Sequence, residues 1–223
     1  MCGPLQGNLK HVNYVIFDID GTLTQSTGFD ASCFKNSVLE HADVEFKTDW
    51  GEYTHVTDSG ILNEIIESHG LTKFKNEIIK RIKASFIANI ENHLSTNPVA
   101  EVAGAGKFLK VISEIENVSV AIATGGWSET AELKLKSAGI GFEEIPLCSA
   151  NDAESRVDIM KHARLRAGNP QASRISYFGD ASWDKRACAE LGWNFISVGK
   201  RTEHHQNIDD FTQYNEALRL CTL

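Results

Sequence analysis

Four short runs of the chain are apolar almost throughout. They are residues 12–18 (Val-Asn-Tyr-Val-Ile-Phe-Asp), 118–123 (Val-Ser-Val-Ala-Ile-Ala), 174–178 (Arg-Ile-Ser-Tyr-Phe) and 193–198 (Trp-Asn-Phe-Ile-Ser-Val). Runs without polar alternation suit strands covered on both faces of a parallel sheet. A weaker strand signal lies at 143–148 (Glu-Glu-Ile-Pro-Leu-Cys). Between the strands the apolar positions switch to helical spacing. Residues 105–116 carry Phe108, Leu109, Ile112 and Ile115; residues 128–138 carry Leu133, Leu135 and Ala138 before Gly139. Residues 156–167 carry Val157, Ile159, Met160, Ala163 and Leu165, and residues 183–191 end at Gly192. Glycine just past a helix suits a left-handed C-terminal cap. Strands alternating with helices of about three turns predict a doubly wound, Rossmann-like α/β core.

Residues 25–96 break this alternation, with helical signals and no convincing strand. Phe74, Ile78, Ile82, Phe86, Ile90 and Leu94 recur every fourth residue, widened by Ile79 and Ile87, which predicts an amphipathic helix whose stripe is its core face. Ile61, Leu62, Ile65 and Ile66 mark another, with Thr57, Asp58 or Ser59 as N-cap and Gly70 at its end,. Phe34, Val38 and Leu39 mark a first. The predicted organisation is a discontinuous core, residues 1–24 and 97–223, with a helical insert at 25–96. The tail 207–223 reads as a closing helix.

Composition narrows the function. The 223 residues include 22 Lys+Arg and 30 Asp+Glu, a formal net charge of −8, with 42% hydrophobic and 23% charged residues. That apolar share supports a packed core and argues against disorder. The acidic balance excludes a nucleic-acid binder that works by neutralising a phosphate backbone. A phosphorylated small molecule stays possible, because a metal ion screens the repulsion locally. Five cysteines (Cys2, Cys33, Cys148, Cys188, Cys221) form no Cys-x-x-Cys pair, which is poor support for a disulfide framework. Residues 1–10 lack the basic start and apolar run of a signal peptide, and no stretch approaches the roughly 20 apolar residues of a membrane helix. The expectation is a cytoplasmic protein with no membrane partner.

Acids and small polar residues stand at the carboxyl ends of three predicted strands: Asp18-Ile19-Asp20-Gly21-Thr22-Leu23-Thr24, Thr124-Gly125-Gly126, and Gly179-Asp180-Ala181-Ser182-Trp183-Asp184. In an open parallel sheet, ligands bind at that edge where the strand order reverses, so the three segments should share one crevice. Their chemistry suits phosphoryl transfer. Asp18 is placed to attack phosphorus and form an aspartyl-phosphate. Asp20 is placed to protonate the leaving oxygen and then activate water. Carboxylates facing a phosphate dianion need a cation, and Mg²⁺ suits hard oxygen ligands. Asp18 and Asp180 would ligate by side chain and Asp20 by its backbone carbonyl, with Asp184 ligating or orienting a metal-bound water. Thr124 and the Gly125 amide would contact phosphate at a helix N-terminus.

These residues resemble motifs one, two and four of the haloacid dehalogenase superfamily: Asp18-x-Asp20-Gly21-Thr22-Leu23, the strand-ending Thr124, and Gly179-Asp180-x-x-x-Asp184. The helical insert resembles the cap of the subfamily that carries it between motifs one and two, the phosphoglycolate phosphatase and β-phosphoglucomutase-like group. The resemblance implies a core sheet of order 5-4-1-2-3 with an inserted α-helical cap domain, Mg²⁺ dependence and an aspartyl-phosphate intermediate. The third motif departs from the pattern. Where the family commonly places a Lys, often before Pro, this chain has Glu154-Ser155-Arg156-Val157. Arg156 is the candidate cation, and Lys161 the fallback.

The reading is therefore a Mg²⁺-dependent phosphatase of a small phosphorylated metabolite, acting as a monomer or homodimer. Asp20 points away from carbon–halogen cleavage, because the superfamily's dehalogenases lack an acid there. A β-phosphoglucomutase-like phosphomutase is the alternative, and a non-catalytic phosphate-binding module a more remote one. Trp50, Tyr53, His55, Thr57 and Asp58 read as a connector with an N-cap in preference to a substrate loop. His204-His205 reads as solvated, and Trp127 as either lining the site or packing a helix start.

Overall fold

A computed structural model describes residues 12–168 and 172–222; the N-terminal reading of residues 1–10, with Cys2, lies outside them. Six parallel strands form one sheet: β1 (Val12–Phe17), β2 (Val118–Ala123), β3 (Leu147–Cys148), β4 (Ala172–Gly179), β5 (Asn194–Val198) and β6 (Asn207–Ile208). Their order is β3-β2-β1-β4-β5-β6. Read from the opposite edge, the first five strands have the expected order, and β6 extends the sheet beyond β5. The direction of succession reverses on either side of β1, whose neighbours are β2 and β4.

The strand runs are apolar because both faces are covered. Successive side chains point to opposite faces. Val15 and Phe17 of β1 pack with Phe108, Ile112, Leu135 and Leu220 on one face. Ile16, between them, packs with Ile159, Met160 and Ala163 on the other. The first layer comprises α4 (Ala105–Ser113), α5 (Ser128–Ser137) and α8 (Tyr214–Thr222); the second comprises α6 (Arg156–Arg166) and α7 (Ser182–Leu191). Phe17 and Phe178, paired across β1 and β4, stack at 5.0 Å between centroids.

Three helices lie between β1 and α4: α1 (Thr27–Ala42), α2 (Asp58–Ser68) and α3 (Lys75–Thr96). Phe34, Val38, Leu62, Ile66, Ile82, Phe86 and Ile90 form their common cluster, joined by Trp127 and Ala150 from the sheet-bearing part. Thr57 caps α2, accepting from the Gly60 amide at 3.0 Å. The four described cysteines are free, and no described helix is long and apolar enough to cross a membrane.

Three expectations need correction. Only Leu147–Cys148 of the 143–148 candidate is a strand. Pro146 has no N–H to donate, and its carbonyl instead accepts from Ile122. The α3 stripe begins after Phe74, which precedes the helix in a 3₁₀ turn and is 53% exposed. The tail is not one helix: Asn207–Ile208 pairs with the edge of β5, burying Ile208, and α8 starts only at Tyr214.

Candidate active site

The chain leaves β1 through a tight turn in which the Ile19 carbonyl accepts from the amides of Thr22, Leu23 and Thr24. Ile19 and Leu23 are fully buried in the core, fixing the segment that carries Asp18 and Asp20. Gly21 has φ +80°, and a Cβ there would stand 2.3 Å from Asp180 Oδ2. The turn from β1 therefore closes onto the turn from β4 only because residue 21 has no side chain.

Asp18, Asp180 and Asp184 are buried, each offering one carboxylate oxygen, with these atoms all within 4.8 Å of one another. Asp184 sits in the first turn of α7 and accepts from the Ala181 amide at 3.1 Å. Burial pushes Asp18 well above the ordinary carboxylate range; Asp184 and Asp180 add to this, and Arg156 opposes it. Asp180 is pushed up to about 6 by burial and then Asp184, against Arg201. Burial likewise raises Asp184, opposed chiefly by Arg156. Three crowded hard-oxygen donors of this kind are a chemical fit for a small divalent cation.

Two guanidinium groups stand on these acids. Arg156, the first residue of α6, donates from Nη1 to Asp184 Oδ1 at 2.8 Å, with Asp18 Oδ1 at 3.5 Å, and from Nη2 to the Val56 carbonyl at 3.2 Å. Lys161 is exposed and pairs with Asp158 at 3.0 Å. The structure thus brings Arg156 to the acids and leaves Lys161 away from them. Arg201 donates to Asp180 Oδ2 at 3.0 Å and lies 4.7 Å from the Trp183 ring centroid.

Thr124 directly follows β2 and is 1% exposed. Its hydroxyl accepts from the Gly126 amide at 3.2 Å. Thr124, Gly125 and Gly126 line a cavity of about 120 Å³ together with Asp18, Asp20, Arg156 and Asp180. Asp184 stands behind that lining, under Arg156.

The surroundings of Asp20 were not foreseen from the sequence. Lys134 of α5 is fully buried and donates to both Asp20 oxygens and to Asp30 Oδ1, each at 2.7 Å. The Ser26 hydroxyl also donates to Asp20. Lys134 did leave a signal: it falls three residues after Ala131 and one before Leu135, on the face that α5 buries. Burial and the neighbouring acid Asp20, against Lys134, leave Asp30 pushed up to about 6.

The 50–58 segment is both connector and wall. Thr57 caps α2, yet Trp50, Val56, Thr57 and Asp58 all face the cavity. Asp58 Oδ2 accepts from the Trp127 amide at 2.8 Å, so an acid of α2 serves the unfilled N-terminus of α5,. Trp127 packs the helix start. It is 2% exposed, and its Nε1 donates to Ser59 at 2.9 Å. Tyr53 is buried against Trp50 and donates to the Lys47 carbonyl, so it packs the segment. His204 and His205 lie ring to ring at 4.3 Å, with His204 also against Phe195.

A family profile described as haloacid dehalogenase-like hydrolase matches residues 15–198. The chain is 30% identical over 189 residues to the tyrosine-protein kinase PtkA of Mycobacterium tuberculosis, covering 83% of this chain and 61% of that protein. It therefore spans less than two thirds of that relative's length. Among solved structures, β-phosphoglucomutase from Clostridium difficile superposes with a TM-score of 0.69 at 16% identity, over 94% of this chain and 96% of the other. A hydrolase from Pseudomonas syringae gives 0.68 at 21% identity, over 95% and 91%. At such identities both structures speak for the fold alone.

Proposed function

We propose, from the premise that the chain belongs to the haloacid dehalogenase-like hydrolases, that it is a Mg²⁺-dependent phosphatase of a small phosphorylated metabolite. The observation that best supports this is the meeting of Asp18, Asp180 and Asp184 within 4.8 Å, beside Asp20 and Thr124 in one cavity. In this reading residues 25–96 are the cap over a core made of residues 1–24 and 97–223. The free cysteines fit a reducing, cytoplasmic setting.

The Asp18 carboxylate attacks phosphorus, the ester P–O bond breaks, and an aspartyl-phosphate forms on Asp18. Asp20 gives a proton to the departing oxygen, then takes one from the water that hydrolyses the intermediate. The Thr124 hydroxyl and Gly125 amide bind phosphate oxygens. Arg156 holds Asp184 and balances charge around Asp18. Asp18, Asp180, Asp184 and the Asp20 carbonyl would hold Mg²⁺, which when bound neutralises the negative charge that nucleophile and phosphate bring together.

Hydrolysis of an aryl phosphate, with and without Mg²⁺, tests this in wild type and Asp18→Asn. The expected result is turnover that requires the metal and vanishes in the variant. Metal-independent turnover or full activity in Asp18→Asn would sink the mechanism. The same assay separates the alternatives. Need for a catalytic bisphosphate, with product still phosphorylated, marks a phosphomutase. Phosphate transfer from a nucleoside triphosphate to a tyrosine marks the activity in the relative's name. Metal binding without turnover marks a binding module.

A further inference from the structure

We infer that the leaving group of the substrate presents hydrogen-bond donors, hydroxyl or ammonium, and carries no second anionic group. This rests on the phosphatase reading and adds the class of ester. The cavity sorts its walls by charge. Side chains from the 25–96 segment that face it include two acids, Asp30 and Asp58, and two aromatics, Phe34 and Trp50, but no Lys, Arg or His. The wall that this segment contributes thus offers acceptors and aromatic rings.

The cations nearby are already engaged. Lys134 is fully buried behind the acids, spread over Asp20 and Asp30. Arg156 stands on Asp184 and Arg201 on Asp180, both among the metal-site acids of the core. Acceptor capacity, in contrast, is left over. Asp58 uses Oδ2 for the Trp127 amide and Asp30 uses Oδ1 for Lys134. Their other oxygens take no protein donor among the described residues. Such an oxygen accepts from a hydroxyl or ammonium, and once its carboxyl is ionised it repels a carboxylate or phosphate.

Two further observations point the same way. Burial and then the Asp30 carboxylate push Asp58 up to about 8; ionised above that pH, Asp58 joins Asp30 in the negative field that a second anion on the substrate would enter. Phe34 and Trp50 meet edge to face at 5.9 Å, giving an apolar corner that suits a short carbon skeleton.

The test measures kcat/KM with Mg²⁺ at pH 9, where Asp58 is ionised, for four monoesters. Glycerol phosphate offers hydroxyls and ethanolamine phosphate an ammonium; phosphoglycolate adds a carboxylate and a glycerol bisphosphate adds a second phosphate. An aryl phosphate is the control for phosphatase activity itself. The donor-bearing esters should exceed the anion-bearing ones by about tenfold or more, the scale of one matched polar contact. The better of the two donor-bearing esters identifies hydroxyl or ammonium. Asp58→Asn keeps an acceptor for the Trp127 amide and should narrow the ratio by about tenfold. Equal or better turnover of the anion-bearing esters overturns the inference, and its loss in Arg201→Ala would show Arg201 reading the second anion. Aryl phosphate turnover with such a reversed ratio leaves the phosphatase reading intact. If no ester is turned over, the phosphatase reading fails, and calorimetric binding of the same four compounds in Mg²⁺ decides the preference by itself.

Discussion

Arg156 depends on a neighbour that has no side chain. A Cβ on Gly125 would stand 2.4 Å from Arg156 Nη2 and 2.9 Å from the Val56 carbonyl that Nη2 contacts. Glycine at 125 therefore makes room for a planar guanidinium where the third motif would commonly supply a slimmer lysine. Tyr177, fully buried, stands beneath it: its hydroxyl donates to the Ala123 carbonyl at 2.9 Å and accepts from Arg156 Nη1 at 3.4 Å. Arg156 was legible from its place ahead of Asp180. Its dependence on Gly125 and Tyr177 was not, because contacts across so much chain carry no spacing signal. Arg156→Ala should lower kcat by about 100–1,000-fold, the range for a lost transition-state charge contact. Gly125→Ala should lower kcat as well, with Arg156 itself unchanged in sequence. Arg156→Lys should recover only part, since an ammonium cannot repeat the guanidinium fork. Lys161→Ala should leave kcat unaltered. If Lys161→Ala is the damaging change, the assignment of the cation is wrong.

At the scale of elements, α5 is the member on which α1, α2 and α3 converge. Lys134 binds Asp30 of α1, the amide of Trp127 binds Asp58 of α2, and Glu129 binds Lys83 of α3 at 2.9 Å. The first two of these contacts are the more buried and should matter most,. Lys134→Met leaves Asp20 and Asp30 facing each other without a cation, and should cost about 3 kcal/mol in urea unfolding. Adding Asp30→Asn to it should return part of that loss; a double variant no better than Lys134→Met would count against the pairing. Asp58 couples the same helices to pH. Its carboxyl, raised to about 8, keeps a proton in the folded chain that the unfolded chain releases in the usual carboxylate range. Stability from this group is thus complete below that range and is lost as pH rises toward about 8. Asp30, Asp20 and Lys134 are the charged groups around it. Asp58→Asn should therefore raise the melting temperature relative to wild type by more at pH 8 than at pH 5. An equal difference at both pH values would show that Asp58 does not titrate between them.

For the whole molecule, what could be read from the sequence follows from topology. Asp18, Thr124 and Asp180 lie at the carboxyl ends of β1, β2 and β4, which are adjacent and parallel. Recognising three strands and their ends was enough to bring the three residues together. Asp30, Lys134 and Arg201 escaped notice because their partners come from helices and loops whose approach is decided by tertiary packing. Arg201 follows β5 and reaches back to Asp180 across the edge. The crowding at that edge has a consequence for global stability. Asp18, Asp180 and Asp184 are all raised by burial and by one another or by burial alone, a crowding that a divalent cation bound there would relieve. Mg²⁺ at about 100 times its dissociation constant should add about 2.7 kcal/mol to unfolding, seen as a higher melting temperature that a chelator reverses. Asp180→Asn should raise the metal-free melting temperature, because one of three crowded charges is gone and its exposed partner Arg201 loses little. The same variant should blunt the response to Mg²⁺. A wild-type melting temperature indifferent to Mg²⁺, or an Asp180→Asn response equal to wild type, would place the metal elsewhere or remove it from the reaction.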